Sequence, residues 1–111
     1  MVLAGLWGVW HLPLFWFSAG LGSMALIGVV GWAASIVTGS VVCTWFFNAS
    51  RGSIAVVAVF HAALDVLIIS PIGGEIVPNV MGAAVVVTAL GIPRRFGREN
   101  LAPLPKVTET T

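Results

Sequence analysis

Two histidines of this chain lie within strongly apolar sequence, and each is paired with another residue four positions away. The two motifs are Trp7-x-x-x-His11 and His61-x-x-x-Asp65. Because residues four apart share one face of a helix, the Asp65 carboxylate can accept the N–H of one His61 ring nitrogen. Such a contact would fix the tautomer of the ring and leave its other nitrogen free to coordinate a metal or accept a proton.

A structural role is the alternative for each histidine taken singly, because an imidazole within a membrane can simply hydrogen-bond across helices. An aspartate at the middle of a membrane helix costs about 2.5–3.5 kcal/mol on insertion scales, so one that is kept there should be paired or used. Two histidines, one with Asp65 and one with Leu12-Pro13 after it, therefore favour a shared functional site. A bis-histidine haem is a rival interpretation, but the sequence around His61 has no glycine to face such a ring.

Pro13 predicts a break directly after His11. Proline has no N–H to donate to the carbonyl of Val9, and its ring clashes with that carbonyl, so a helix should kink or end there. We expect the break to expose backbone polar groups to the cavity that His11 faces.

The composition is that of a membrane protein. The chain has 111 residues, of which 59% are hydrophobic and 8% are charged, whereas a soluble domain carries about 25% charged residues. No basic cluster indicates nucleic-acid binding. Cys43 is the only cysteine, which excludes a disulfide within the chain and predicts a small buried apolar residue. The apolar start lacks a preceding positive charge, and this argues against a signal peptide.

Four apolar segments predict an all-α, polytopic transmembrane bundle of about four helices. They cover residues 2–17, 24–47, 53–70 and 76–92. The connections are short and rich in turn-forming residues, so neighbouring helices should be antiparallel. We therefore predict one transmembrane domain over residues 1–92 and a basic, disordered, cytoplasmic tail over residues 93–111.

The basic residues predict the orientation in the membrane. With four spans, all five of them fall on one side, and Glu75 falls on the other. They are Arg51, Arg94, Arg95, Arg98 and Lys106. This distribution predicts a multi-pass protein of the plasma membrane (the inner membrane of a bacterium) with both termini in the cytoplasm.

Small residues at Gly31, Ser35 and Gly39 recur every four residues of the second segment. They predict a helix face that a neighbouring helix of the same chain can approach closely.

The segments Leu6-Trp-Gly-Val-Trp-His-Leu-Pro-Leu-Phe15 and Phe60-His-Ala-Ala-Leu-Asp65 resemble the second and third motifs of the CPBP family. This family contains the CAAX proteases and bacteriocin-processing enzymes, also labelled Abi. The resemblance implies an intramembrane endopeptidase that acts on prenylated CAAX proteins or other membrane-associated peptides.

The same resemblance implies that His11 and His61 are catalytic and that Asp65 orients His61. Two roles stay open for the histidines. They would either bind a divalent metal such as zinc, or position water and stabilise the oxyanion without any metal.

One departure from the family pattern concerns the catalytic base. The family carries Glu-Glu-x-x-x-Arg on an earlier helix, and its first glutamate is held to activate water, whereas this sequence contains no such motif. Glu75, Glu99 and Glu109 are not placed to replace it. We therefore expect a fragment or a miscalled start, inactive alone, that needs an upstream helix or a second copy as partner. The alternative is a non-catalytic truncated membrane protein acting as a pseudoenzyme, an immunity protein or an interaction module.

Overall fold

The computed structural model describes residues 2–99 and 101–103, which form six helices and no strand. The helices are α1 (Val2–His11), α2 (Leu14–Phe17), α3 (Ala19–Gly22), α4 (Leu26–Ala49), α5 (Ile54–Ile69) and α6 (Ile76–Phe96). The all-α prediction is confirmed. By length and composition, α4 and α6 can cross a membrane, with mean hydropathies of 2.0 and 1.8, and the segment 2–17 and α5 are shorter apolar helices.

The first apolar segment breaks at Pro13, as the sequence predicts. Helix α1 ends at His11 and α2 begins at Leu14. Pro13 has no N–H to donate to the carbonyl of Val9. This carbonyl accepts instead from the backbone N–H of Leu12 at 3.2 Å. The carbonyl of Val9 therefore keeps a backbone partner at the break.

The turn after α4 reverses the chain through two residues with positive φ. Arg51 has φ 57° and Gly52 has φ 86°, and the N–H of Gly52 donates to the carbonyl of Phe47 at 2.8 Å. Bonds of this kind satisfy carbonyls at the end of a helix, and glycine enters this region without a Cβ penalty. The Ser53 hydroxyl then accepts from the N–H of Val56 at 3.4 Å and caps α5.

Helix α6 continues past the predicted end of the transmembrane domain at Ile92 and includes Pro93. Beyond it, Leu101 packs against the core and Ala102 is buried. This part of the tail therefore packs on the bundle, in contrast to the predicted disorder. Lys106 and the rest of residues 104–111 lie outside the described residues.

The core lies where α4 meets α6. Val42, Ala89 and Ile92 form its buried centre, and the rings of Trp45 and Phe96 stack with centroids 6.5 Å apart. Because Trp45 and Phe96 stand near the C-terminal ends of their helices, those two ends lie side by side. The four basic side chains within the described residues therefore share one end of the bundle, which we call the basic end.

Large apolar side chains cover much of the remaining surface. Trp10, Phe17 and Ile69, for example, are 80%, 86% and 80% exposed. Helices that are apolar all round are typical of a lipid environment, so this surface agrees with the composition.

The small residues of α4 contribute unequally to packing. A Cβ placed on Gly39 would lie 3.4 Å from Cζ3 of Trp7, whereas one placed on Gly31 would meet nothing within 4 Å. Ser35 is exposed, and its hydroxyl donates to the carbonyl of Trp32 in its own helix. Close approach of another helix is therefore confined to Gly39.

Candidate active site

The indole of Trp7 contacts both histidines. Its centroid lies 6.0 Å from that of His11 and 4.8 Å from that of His61, and both contacts are edge-to-face. The two imidazole centroids can therefore be no farther apart than the sum of these distances. The structure thus brings side chains from α1 and α5 to a single aromatic ring, although fifty residues separate them in the sequence.

Helix α4 supports this ring from behind. Gly39 is buried and faces Cζ3 and Cη2 of Trp7, where a Cβ would stand 3.4 and 3.7 Å away. A larger side chain here would displace the indole. The glycine therefore fixes the depth at which Trp7 lies between the helices, and with it the relative position of the two imidazoles.

The Nδ1 atom of His11 lies 2.7 Å from the backbone carbonyl oxygen of Trp7. A carbonyl only accepts, so Nδ1–H is the donor and, in the neutral ring, Nε2 carries the free lone pair. The sequence analysis considered a hydrogen bond from His11 to another helix and missed this bond within α1. The four-residue spacing of Trp7 and His11 is the signal that could have revealed it.

His61 and Asp65 lie together, as the spacing on α5 indicated. The Nε2 atom of His61 is 3.4 Å from Oδ2 of Asp65, and the two side chains are 35% and 51% exposed. The distance is longer than a good N–H···O bond, so the contact orients the ring without holding it tightly. A carboxylate accepts, which places the proton of neutral His61 on Nε2.

The other nitrogen of His61 has no protein partner. Nδ1 is buried and makes no hydrogen bond to any described residue. A buried polar atom without a partner destabilises the folded state by about 1–3 kcal/mol, and such atoms in native proteins call for a functional or ligand-based explanation. With Nε2 turned toward Asp65, Nδ1 is the atom available to accept a proton or a hydrogen bond.

An open apolar groove of about 410 Å³ lies beside His61. Ile54 and Ala58, which precede His61 by seven and three residues on α5, both line it. The lining is Leu3, Leu6, Trp7, Trp10, Cys43, Ile54, Val57, Ala58 and His61. His61 is the single ionisable group of this set apart from the buried thiol of Cys43, so the groove suits an apolar ligand that reaches an imidazole.

The donor set does not fit a metal centre. Among the described residues there is no group of three or more His, Cys, Asp or Glu side chains that could hold a metal ion. A catalytic zinc site normally takes three protein ligands. His11 and His61 alone fall short of that number, so the described residues by themselves do not complete such a site.

Glutamates do not supply a base here. The backbone carbonyl of Glu75 accepts from both the N–H and the side-chain amide of Asn79 at the start of α6, at the end of the bundle opposite the basic end. Glu99 follows α6, at the basic end, and Glu109 lies outside the described residues. Within the part of the chain that the structure describes, Asp65 is the carboxylate in contact with a histidine.

Comparison with known proteins identifies no relative. No protein-family model matches the chain, and no curated protein and no solved structure matches it significantly.

Proposed function

We propose that this chain is the C-terminal, histidine-bearing part of a CPBP-type intramembrane endopeptidase that hydrolyses peptide bonds of membrane-associated proteins. The observation that carries the proposal is the contact of one indole, that of Trp7, with both His11 and His61. The two sequence motifs that resemble those of the family thus belong to one site. A purely structural role for each histidine would not require this convergence.

The free ring nitrogens define what the site can do. Nδ1 of His61 lacks a protein partner, and Nε2 of His11 is left free by the bond from Nδ1 to the Trp7 carbonyl. A neutral imidazole accepts a hydrogen bond from water, and a protonated one donates to a developing oxyanion. Peptide hydrolysis needs both actions, because water adds to the carbonyl carbon and the amide nitrogen leaves with a proton.

Asp65 is a positioning residue in this scheme. Its carboxylate lies beside Nε2 of His61 and favours the tautomer that frees Nδ1. It is half exposed and makes a poor partner for lipid, since a carboxylate facing hydrocarbon has nothing to compensate its lost hydration. We infer that another helix covers this face of α5, either an upstream helix with Glu-Glu-x-x-x-Arg or one from a second copy.

The membrane topology follows from the basic end. Arg51 and the arginines near the end of α6 lie at the same end of the bundle, and Glu75 lies at the other. By the positive-inside rule this end faces the cytoplasm. We propose four crossings of the plasma membrane, by the segment 2–17, α4, α5 and α6, with both termini in the cytoplasm.

The substrate would lie along the apolar groove beside His61. A groove with apolar walls and one imidazole suits the membrane-embedded or lipid-modified part of a peptide better than a soluble one. Prenylated proteins and other membrane-associated peptides are therefore the substrate class that we propose.

The test is a reconstituted cleavage assay. The chain is placed in lipid vesicles with and without a helix that carries Glu-Glu-x-x-x-Arg, and cleavage of membrane-tethered peptides is measured. We expect activity only with the added helix, because the resemblance assigns water activation to the first glutamate of that motif. Replacing His11 or His61 by alanine should lower the rate on the order of 10²-fold or more, the size expected when a group that stabilises the transition state is lost. Arg51→Ala serves as the control and should leave turnover unchanged.

Two results would contradict the proposal. Activity that survives both histidine substitutions would remove the protease role of these motifs. An absence of cleavage with every added helix, in a preparation shown to be folded, would favour the alternative of a pseudoenzyme, an immunity protein or an interaction module.

A further inference from the structure

A second cavity, distinct from the groove at His61, opens at the basic end between α4 and α6. Its volume is about 650 Å³, larger than that of the groove. The lining residues are Leu3, Ser40, Val41, Thr44, Ala89, Leu90, Pro93, Arg94, Arg98 and Leu101. Leu3 is the one residue that this cavity shares with the lining of the groove at His61.

Two guanidinium groups stand at this cavity. Arg94 and Arg98 are exposed and line it, and Nη1 of Arg94 donates to the carbonyl of Leu90 at 2.7 Å. That bond occupies one of five guanidinium N–H donors and ties the side chain to its own helix. The remaining donors stay available to an anion. Guanidinium pairs are the protein groups best suited to phosphate, because they bind two of its oxygens at once.

The hydroxyls of the cavity act as acceptors. Ser40 donates its hydroxyl proton to the carbonyl of Val37 at 2.8 Å, and Thr44 donates to the carbonyl of Ser40 at 2.7 Å. Their oxygens therefore have lone pairs to offer but no proton. Phosphate oxygens cannot use such groups, whereas a ligand with hydroxyl groups of its own can donate to them.

The rest of the wall is apolar. The apolar side chains that line the cavity are those of Leu3, Val41, Ala89, Leu90 and Leu101. A soluble phosphate would leave this surface uncovered, but a phosphate that carries a hydrocarbon chain would cover it. The combination occurs at the end of the bundle where the helices meet the headgroup region, and basic pockets between helices at that level are typical sites for anionic lipids.

We propose that this cavity binds an anionic phospholipid whose headgroup carries hydroxyls, such as a phosphatidylglycerol. Arg94 and Arg98 hold the phosphate, the oxygens of Ser40 and Thr44 accept from the headgroup hydroxyls, and the apolar wall takes the start of an acyl chain. The proposal does not depend on proteolysis, since the two arginines and the two hydroxyl groups do not line the groove at His61.

The test measures retained lipid on the full chain in a mild detergent. Purified protein is exposed to phosphatidylglycerol or to phosphatidylcholine, and native mass spectrometry counts the lipid that stays bound. We expect retention of phosphatidylglycerol and little of phosphatidylcholine. The Arg94→Gln, Arg98→Gln double variant should lose about tenfold or more in affinity, since each arginine near a headgroup contributes about 1 kcal/mol.

A matched double variant controls for charge. Arg51→Gln with Arg95→Gln removes the same charge from the same end, but Arg95 lies over the Phe96 ring and faces a different groove. It should keep the lipid within about twofold, because neither side chain reaches the cavity. Equal losses in the two double variants would overturn the proposal and leave only a diffuse attraction to the basic end.

Two further measurements complete the test. The first distinguishes a lipid site from a site for soluble phosphate, and the second distinguishes loss of binding from loss of folding. Glycerol phosphate that displaces the lipid at similar concentration would show a site for a soluble phosphate and would contradict the lipid assignment. Leu90→Trp fills the cavity without changing charge, and helix content by circular dichroism confirms that it is folded. We expect this variant also to lose phosphatidylglycerol, and unchanged retention would count against the cavity.

Discussion

The indole of Trp7 meets the imidazole of His61 edge-to-face, with ring centroids 4.8 Å apart, and the same indole lies 6.0 Å from His11. Trp7 stands on α1 and His61 on α5, so the contact joins two helices that α4 separates in the chain. Edge-to-face contacts between aromatic rings stabilise by about 0.5–1.5 kcal/mol beyond area burial. Trp7 is therefore the side chain that both histidines contact.

Trp7→Leu should disturb both histidines at once. The chain has only two histidines, so a protein labelled with ¹⁵N-histidine gives two sets of imidazole signals. Removing the indole removes its ring current and its packing, and both sets should shift. Trp16→Leu is the control, because Trp16 is 77% exposed and should move neither. A shift of only one set in Trp7→Leu would show that the two imidazoles do not share this ring in solution.

The contact between Asp65 and His61 predicts a graded effect of two substitutions. Asp65→Asn retains an oxygen that can accept the Nε2–H of His61, whereas Asp65→Ala retains none. The cleavage rate of the completed enzyme should therefore fall less in Asp65→Asn than in Asp65→Ala. The ¹⁵N shifts should show that the tautomer of His61 changes only in Asp65→Ala. Identical behaviour of the two variants would remove the orienting role of the carboxylate.

Gly39 and Gly31 provide a matched pair for testing how α1 packs. Gly39→Leu places a side chain where Cζ3 of Trp7 lies, whereas Gly31→Leu points into open space. We expect the first variant to lower the thermal transition temperature and to shift both histidine signals, and the second to do neither. Gly39→Ala should be tolerated, since its Cβ sits at the short end of ordinary contact. Equal effects at positions 31 and 39 would contradict the packing of Trp7 on α4.

Cysteine labelling tests the orientation of the basic end. In a Cys43→Ala background, Ile72→Cys lies in the turn between α5 and α6, and Glu99→Cys follows α6. Both positions are exposed. An impermeant thiol reagent should label position 72 in intact cells and position 99 only after the cells are opened, because the arginines hold their end in the cytoplasm. Labelling of position 99 from outside would reverse the proposed topology.

The sequence predicted those parts of the fold that rest on local chemistry. Helical class followed from the apolar composition, the break after His11 from the missing N–H of Pro13, and the approach of His61 to Asp65 from the helical repeat. Each of these depends on residues within one turn of each other. The burial of Cys43, which is 5% exposed, followed from its apolar neighbours.

The features that sequence reasoning missed depend on contacts distant in the chain or on competition between partners. Gly31 and Gly39 look alike in the sequence, and only the position of Trp7 distinguishes them. The Nδ1 atom of His11 binds the backbone carbonyl of Trp7, one turn earlier in the same helix. Helix α6 runs past Ile92, where the predicted transmembrane domain ends, because a proline in the last turn of a helix removes only one hydrogen bond.

In the proposed topology of four crossings, helix α5 has a consequence for the bilayer around the site. It has 16 residues, which span about 24 Å at 1.5 Å per residue, against a hydrocarbon layer about 30 Å thick. A helix shorter than the layer draws the lipid surface inward or admits polar solvent at its ends. His61 stands near the middle of α5, so the thinned lipid shortens the distance that water must travel to reach its free nitrogen. Lipids with shorter acyl chains should accordingly favour hydration of this imidazole, and longer ones should leave it dry.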